Sequence, residues 1–356
     1  MCVICATPPA GTSTVPPRPP SVDAERRAAG VAFLERHPTF DLHAHPGRFF
    51  MAGAQSSAFV DSYPPPDPEG AIEDMRRGGL AGAMFATVAD LAVLGKTERG
   101  LGATRAFIPS EAHTDHLRQI DAARTLFEAS GITLARNGTD IRAAHDSRTL
   151  AGFISVEGGD FIEDRFDRIE QAAALGVRSI TIIHYRVNQI GDTQTEAPVH
   201  RGLTPLGRAA IKAMEDAGVL VDLSHASFDT VKQATAIATR PMLLSHSNIG
   251  PVDGPHPRLI SLEHARLVTA TGGVVGCVPA GFAQTSFEDF VDTIFRMIDQ
   301  LGVDHVAIGT DMDFTYRSVL PSYRDWPALA GTLIARGLSE DEAAKVMGGN
   351  AMRILA

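Results

Sequence analysis

Short apolar runs of β-type residues alternate with longer segments of helical period along almost the whole chain, which leaves few folds open to it. Several of the runs are nearly continuous in Val, Ile, Leu and Gly, as expected for parallel strands buried on both faces. Eight runs are predicted as strands: Thr39–His45, Gly82–Val88, Gly152–Glu157, Arg178–His184, Val219–His225, Pro241–His246, Gly273–Val278 and His305–Asp311. The alternation therefore predicts a parallel sheet with crossover helices.

Helical patterns fill the connections between these runs. The predicted helices are Glu69–Arg77, Glu111–Ala129, Phe161–Leu175, Pro205–Ala217, Phe228–Ala238, Leu262–Ala270, Phe287–Leu301 and Ser339–Met347. Eight β/α units in about 320 residues predict a single (β/α)8 barrel, which we place over residues 22–356. Pro46–Pro68 and Lys96–Glu111 are predicted to be long loops over its mouth, and Ile132–Arg136 a short extra strand.

An open, doubly wound sheet is the alternative architecture. No GxGxxG motif follows the first run, however, and polar residues end strands that are spread along the whole chain. The active site of a barrel is built from the carboxyl ends of its strands, so this placement favours the barrel.

Charge and hydropathy exclude some classes of partner. Lys and Arg number 32 against 42 Asp and Glu, a formal charge of −10, which disfavours binding to nucleic acid or to an anionic membrane surface. Apolar stretches such as Gly273–Ala280 are far shorter than the roughly 20 residues of a membrane-spanning helix. We therefore expect neither a nucleic acid partner nor a membrane span.

The first 21 residues differ from the rest of the chain. They are rich in Pro, Thr, Ser and Gly, and this composition predicts a disordered tail. They contain no basic segment followed by a long apolar one, and three cysteines are too few for a disulfide framework, so we expect a cytoplasmic protein. Cys2 and Cys5 form a lone CxxC with no second pair to complete a structural zinc site.

Metal-binding residue types end most of the predicted strands. His43 and His45, two residues apart at the end of the first run, project to the same side of a strand. Four later runs end at Glu157, His184, His225 and His246, and the last ends at Asp311. Five of the 13 histidines thus fall at or within two residues of a strand end, where ionisable groups are costly unless they are paired or bind metal.

Histidines and carboxylates that converge at one barrel mouth fit two divalent cations. Zinc is the most natural occupant of a site with N and O ligands, and other divalent cations remain possible. One cation, with the other side chains placed around its ligands, is the alternative.

With these residues in this order, the chain resembles the membrane (renal) dipeptidase family. The members of that family are binuclear zinc peptidases among the amidohydrolase-like barrels. The resemblance runs from about Phe40 to Asn350 and rests on ordered motifs. These motifs are ISVEGGD, TIIHYRVNQIGD, GLTPLGRAAIKAMEDAGVLVDLSHAS, LLSHSNIG, HPR and IGTDMDF.

The resemblance implies a site and a reaction. It implies that His43 and His45 bind a first zinc ion, that His225 and His246 bind a second, and that Glu157 bridges the two. The substrate would be a small dipeptide, hydrolysed by a hydroxide shared between the metals, and relatives suggest a homodimer. The further roles it implies are substrate contact for His184 at the scissile carbonyl, proton transfer for Asp311 and carboxylate binding for Arg258.

Two positions depart from the family pattern. The family usually has His-x-Asp where this chain has His43-Ala44-His45, so the first metal position loses an anionic ligand. After the seventh run, Cys277–Phe282 lacks the tyrosine that usually faces the substrate. Another amide, ester or lactone hydrolase on the same site is therefore the alternative among enzymes. A non-catalytic binding protein is the alternative outside them, although every ligand position keeps a metal-capable side chain.

Overall fold

A computed structural model describes residues 20–250 and 256–355, and it contains the predicted barrel. Eight parallel strands follow one another around it, each hydrogen-bonded to the next in chain order. They are β1 (Phe40–Ala44), β2 (Gly82–Val88), β3 (Ala151–Glu157), β4 (Val177–Thr181), β5 (Leu220–Asp222), β6 (Leu243–Ile249), β7 (Val274–Cys277) and β8 (Val306–Ile308). The (β/α)8 prediction is therefore confirmed.

The barrel closes between β8 and β1, at the end that carries the polar residues. The amide of Asp311 donates to the carbonyl of His43 at 2.8 Å, and the amide of His45 donates to the carbonyl of Met312 at 3.0 Å. These bonds lie just beyond β8, so the residues that close the barrel are also predicted site residues.

Helices surround the strands. They are α1 (Ala24–Arg36), α2 (Pro68–Gly78), α3 (Glu111–Ser130), α4 (Gly138–Asp146), α5 (Asp167–Ala174), α6 (Pro205–Asp216), α7 (Phe228–Thr235), α8 (Leu262–Thr269), α9 (Phe287–Leu301), α10 (Trp326–Ala335), α11 (Glu340–Ala344) and α12 (Asn350–Ile354). Local sequence sets many of their beginnings: Thr204 caps α6 through Gly207 N, with proline at the first helical position, and Ser286 caps α9 through Asp289 N.

Two predicted helices differ from the structure. The segment predicted as Phe161–Leu175 is a short 3-10 turn at Asp160–Ile162 followed by α5 alone, because Glu163 adopts φ 51° in the left-handed region and interrupts the helix. The segment predicted as Ser339–Met347 is α11 followed by a π-helical turn over Lys345–Gly349.

Shorter strands lie outside the barrel path. Thr133–Leu134 pairs in parallel with β3, which confirms the extra strand predicted near residue 132. Leu259–Ile260 pairs in parallel with β6. The segment predicted as the loop Lys96–Glu111 differs in part, because Leu94–Thr97 and Gly100–Ala103 form an antiparallel hairpin whose turn reaches the cavity of the candidate site.

The tail prediction and the Cys2–Cys5 pair concern residues 1–19 almost entirely, which lie outside the described residues. Cys277 is fully buried, as expected for a core position rather than a nucleophile. In the part of the chain that the structure describes, no helix combines the length and the hydropathy that a bilayer crossing requires.

Candidate active site

The carboxyl ends of the barrel strands bring five histidines around one glutamate. Glu157, the last residue of β3, is 1% exposed and lies at the centre. In every case a histidine Nε2 atom lies 3.0–3.6 Å from one of its carboxylate oxygens. The five are His43 and His45 at the end of β1, His184 after β4, His225 after β5 and His246 within β6. The structure therefore brings together all the predicted metal ligands, and His184 with them.

Four of the imidazoles form two close pairs. The Nε2 atoms of His43 and His45 are 3.2 Å apart, and those of His225 and His246 are 3.0 Å apart. Only one hydrogen can lie between two such nitrogens, whereas a cation can accept lone pairs from both. Each pair also forms a group with Glu157 whose ligand atoms lie within 4.8 Å of one another. This donor set fits two divalent cations that share the glutamate.

Electrostatics favour ligand-competent protonation states at Glu157 and at the His225–His246 pair. Burial raises the pKa of Glu157, but His184 and His43 outweigh it and hold the pKa well below its ordinary value. Burial, with Arg258 nearby, holds the pKa of His225 well below the ordinary histidine value, and burial with His43 does so for His246. An ionised carboxylate and neutral imidazoles are the forms that bind zinc.

His45 has a more acidic environment than the second pair. Its Nε2 atom lies 3.2 Å from Asp311 Oδ1 and 3.4 Å from Glu157 Oε2. Burial lowers the pKa of His45, but these two carboxylates raise it to about 10. Its Nδ1–H donates to the carbonyl of Ala86 at 2.9 Å, which directs Nε2 into the cluster.

Ser245 connects the two pairs behind the cluster. Its hydroxyl lies 3.2 Å from His43 Nδ1 and 2.9 Å from His246 Nδ1, and it donates to Asp222 Oδ2. Asp222 also accepts from the amides of Ser224 and Ser245 at 3.0 Å. Such outer contacts orient the ligating nitrogens of both histidines. Asp222 and Ser245 were not among the predicted site residues, although they lie in the DLSH and LLSH segments that end at the predicted ligands His225 and His246.

Glycines on the neighbouring strands make room for this network. A Cβ atom on Gly276 would come 1.9 Å from the carbonyl oxygen of Ser245, and one on Gly309 would come 1.8 Å from it. Only glycine fits where these backbones approach so closely.

His184 has a carboxylate on each side. Its Nδ1 lies 2.6 Å from Asp90 Oδ1, and its Nε2 lies 3.3 Å from Glu157 Oε2. Burial lowers the pKa of His184, but Asp90 and Glu157 outweigh it and raise the pKa above the ordinary value. Sequence reasoning missed Asp90, and the available signal was its place two residues beyond the second predicted strand.

Asp311 and its neighbours turn sharply at the barrel mouth. His225, Asp311 and Asp313 have φ values of 66°, 52° and 69°, in the left-handed region that residues other than glycine rarely adopt. Such strain concentrates at functional sites. The Oδ2 atom of Asp313 accepts from the amide of Gly47 at 2.6 Å, which ties the loop after β8 to the loop after β1.

Arg258 is a buried cation in the same cavity. It is 4% exposed, and its guanidinium donates to Gln194 Oε1 and, at 3.4 Å, to the carbonyl of His246. Burial lowers the pKa of Arg258 below the ordinary arginine value. Among the described residues, Arg258 has no carboxylate within ion-pair distance. A buried guanidinium without an acidic partner is suited to bind the carboxylate of a ligand.

A cavity of about 260 Å³ opens above the cluster. Val278 and Phe282 line it on the β7 side, so no tyrosine faces it there, as the sequence indicated. Tyr185 and Tyr316 line it from other loops, and the Tyr316 hydroxyl is buried without a hydrogen-bond partner among the residues that the structure describes. The polar residues Glu157, His184, His225, His246, Arg258 and Asp311 also line the cavity.

Comparison with known proteins identifies relatives. The family profile described as membrane dipeptidase, peptidase family M19, matches residues 29–356. Dipeptidase verJ of Clonostachys rogersoniana is 32% identical over 248 residues, which cover 67% of this chain and 64% of verJ. Dipeptidase tcpJ of Claviceps purpurea is 27% identical over 252 residues, covering 68% of this chain and 59% of tcpJ. This chain thus spans less than two thirds of either relative.

Solved structures share the fold. A metallo peptidase from Rhodobacter sphaeroides, liganded with a phosphinate mimic of the dipeptide L-Ala-D-Ala, superposes with a TM-score of 0.75 at 22% identity, covering 90% of this chain and 98% of its own. An amidohydrolase from Pseudomonas aeruginosa gives a TM-score of 0.73 at 21% identity, with 92% and 98% covered. At these identities the likeness establishes the barrel.

Proposed function

Because the chain belongs to the membrane dipeptidase family, peptidase family M19, we propose that it is a zinc-dependent dipeptidase that hydrolyses the peptide bond of short substrates with a free carboxyl terminus. The observation that carries this proposal is the joint presence, in one cavity, of the Glu157 cluster and the buried guanidinium of Arg258, which forms no ion pair among the described residues. The first supplies metal ligands and the second a receptor for a carboxylate.

The ligand assignment follows from the two imidazole pairs. His43 and His45 would hold one zinc ion, His225 and His246 would hold the other, and Glu157 would be shared between them. Bound zinc would supply a Lewis acid for the scissile carbonyl and a water of lowered pKa.

Arg258 selects and anchors the substrate. Its guanidinium binds the terminal carboxylate of a dipeptide, and because Arg258 is only 4% exposed, this charged contact is stronger than it would be in bulk water. Arg258 binds a free terminal carboxylate, so the proposed substrate ends at that contact, and the cavity of about 260 Å³ limits the size of what extends from it. Short peptides are therefore the proposed substrates.

His184 and Asp311 carry out the remaining chemistry. His184 Nε2 faces the cluster and donates to the carbonyl oxygen as negative charge develops on it. Asp311, whose carboxylate keeps 17% of its surface exposed, accepts a proton from the attacking water and delivers it to the leaving amine. The products are two amino acids.

Acceptance of a D-residue at the carboxyl-terminal position is part of this proposal. It is supported by the Rhodobacter sphaeroides relative, whose ligand mimics L-Ala-D-Ala. A different amide, ester or lactone hydrolase remains the second candidate, because His45 and the Val278–Phe282 segment depart from the family pattern. A homodimer and a cytoplasmic location remain predictions, and light scattering of the purified protein tests the first.

The test compares matched substrates on matched enzymes. Metal-replete protein is assayed on L-L, L-D and D-D dipeptides and on the carboxyl-terminal amides of those it cleaves, beside N-acyl amino acids, cyclic amides and lactones. We expect kcat/KM to be about 10- to 100-fold lower for an amide than for its acid, because one charge-assisted bond to Arg258 is lost. Arg258→Met should remove this preference while zinc content, measured by elemental analysis, is retained.

Two results would reject the proposal in different ways. Turnover of lactones or N-acyl amino acids without turnover of any dipeptide would favour the second candidate on the same site. Dipeptide turnover with equal kcat/KM for acid and amide would remove Arg258 from carboxylate recognition and leave the metal-dependent hydrolase in place.

A further inference from the structure

We propose that Asp90 is a positioning residue for His184, which it holds with the Nε2 edge facing Glu157 and the reacting carbonyl. The inference rests on the proposed function for the reaction that His184 serves. It assigns a role to the carboxylate of Asp90, which lies two residues beyond the end of β2.

The contact is short and fully buried. Asp90 Oδ1 lies 2.6 Å from His184 Nδ1, and the two side chains are 0% and 1% exposed. A carboxylate can only accept, so the hydrogen of this bond belongs to Nδ1. With Nδ1 committed to Asp90, Nε2 is the ring nitrogen that faces the cavity.

Asp90 also fixes the backbone next to the ring. Its second oxygen, Oδ2, accepts from the amide of Tyr185 at 3.3 Å. The side chain therefore restrains both the imidazole of His184 and the peptide that follows it. Tyr185 itself lines the cavity, so the same carboxylate orients two groups that face a substrate.

The Asp90 side chain has no role in the local structure of its own loop, because it caps no helix there. Asp90 precedes the 3-10 turn Leu91–Val93, a position where aspartate commonly caps a helix, yet its side chain makes no capping bond. It reaches instead to a residue 94 positions away. A buried carboxylate is costly unless it is paired, and His184 is the charge-capable group with which it forms a hydrogen bond.

The neighbouring pair Asp160 and Arg186 does not compete for this contact. Asp160, also buried, pairs with the guanidinium of Arg186, and that guanidinium lies over the ring of Phe107. Asp90 and Asp160 are close enough to interact unfavourably, since burial and then Asp90 raise the pKa of Asp160 against the lowering effect of Arg186. Arg186 is therefore the ion-pair partner of Asp160, and His184 is the partner of Asp90.

Asp90→Asn is the direct test because it preserves shape. Asparagine offers one acceptor oxygen where the His184 ring and the Tyr185 amide each need one, so the ring loses its fixed orientation. We expect kcat on the best dipeptide to fall about 10- to 100-fold with KM changed less than about threefold, and zinc content to stay at the wild-type level. Asp90→Glu keeps the charge and should recover part of the loss.

A pair of double-mutant cycles separates positioning from general structural support. If Asp90 acts through His184, then Asp90→Asn should add little to His184→Gln, and the doubly substituted enzyme should lie within about threefold of His184→Gln alone. The matched control combines Asp90→Asn with Arg258→Met, where the contacts are separate and the two losses should multiply. Multiplication in both cycles, or loss of zinc from Asp90→Asn, would overturn the proposal.

A second readout does not depend on turnover. The tautomer of His184 can be measured by two-bond ¹H–¹⁵N correlation in histidine-labelled protein, with His184→Gln used for assignment. We expect a protonated Nδ1 in the wild type and a changed nitrogen pattern in Asp90→Asn. Failure of every dipeptide together with this NMR result would reject the proposed substrate only. An unprotonated Nδ1 in the wild type would reject the role of Asp90, whatever the substrate.

Discussion

Seven histidines are buried in the described part of the chain, and they occupy two kinds of environment. Five of them point Nε2 atoms at Glu157 at the barrel mouth, as described above. The other two lie in the helices: His116 in α3 stacks on Phe161 with ring centroids 3.9 Å apart, and His264 in α8 meets Phe228 edge-on at 5.9 Å. Exposure does not separate the groups, because every ring in both is 3% exposed or less.

The difference lies in what faces the ring nitrogens. His116 Nδ1 and His264 Nε2 are buried without a hydrogen-bond partner, and no carboxylate pairs with either ring among the described residues. Burial lowers their pKa values to about 3 and about 4, so both rings are neutral and behave as apolar packing. Around Glu157, by contrast, rings converge on a shared anion. A buried histidine thus becomes a candidate ligand through a common partner, and burial alone is not informative.

Removal of that partner should have the largest effect. In Glu157→Gln the five rings lose the anion they share, so we expect zinc content to fall by at least one ion per chain and kcat/KM to fall on the order of 10³-fold or more. Elemental analysis and the dipeptide assay measure the two losses. Full zinc content with near-normal turnover in this variant would mean that the cluster is only a buried polar network.

Alanine at one histidine from each group should separate function from stability. His225→Ala should lose bound zinc and at least about 100-fold of kcat/KM, while the metal-free protein unfolds within about 1 kcal/mol of the metal-free wild type. His264→Ala should retain zinc and kcat but lower the free energy of unfolding by about 2–3 kcal/mol, because it leaves a cavity against Phe228. Urea unfolding with and without zinc gives the comparison. If the two variants show similar changes in zinc content, in kcat/KM and in the free energy of unfolding, the two groups of histidines do not differ in function.

His45→Asp should sharpen the electrostatic side of the comparison. The new carboxylate would stand near Asp311 and Glu157, where His45 now bonds to both. Without metal these acids repel, so the metal-free protein should be less stable than wild type, and bound zinc should restore stability. We expect kcat/KM within about tenfold of wild type, since one anionic ligand replaces one neutral ligand. Thermal unfolding with and without zinc measures how much zinc stabilises each protein. If zinc stabilises His45→Asp and the wild type by the same amount, residue 45 is not part of the metal site.

Sequence patterns predicted the barrel well, because its strands are short apolar runs with polar ends. Helix α9 begins and ends where its periodicity indicated, at Phe287 and Leu301. Four helices were not predicted, namely α1, α4, α10 and α12. Helix α10 is buried from Trp326 through Leu333 and so has no polar face to set a period. Helix α1 buries only Gly30, Phe33 and Leu34, and its apolar stripe is correspondingly faint.

The candidate site also contains residues that the sequence predicted and residues that it did not. Its ligands were predictable because charged or imidazole groups at the ends of apolar strands are costly without a function. The role of Asp90 was not predictable. A single aspartate beyond a strand resembles any loop residue, and only the fold places it beside His184, 94 positions away. The left-handed backbone at His225 and Asp311 was not predictable either, since nothing local favours it over an extended conformation.

The smallest effect should come from His116, whose pKa in the folded chain is about 3 because of burial first and then His113 and Arg168. The folded state binds this proton less well than the unfolded state, so the stability is present above the unfolded pKa near 6.5 and is lost as pH falls toward 3. Between pH 6.5 and 5.5 the wild type should lose about 1 kcal/mol that His116→Leu does not lose. Urea unfolding of both proteins at several pH values isolates this difference from that of the other histidines. Parallel pH profiles would show that His116 is protonated in the folded state, and therefore that an unseen partner faces it as Glu157 faces the others.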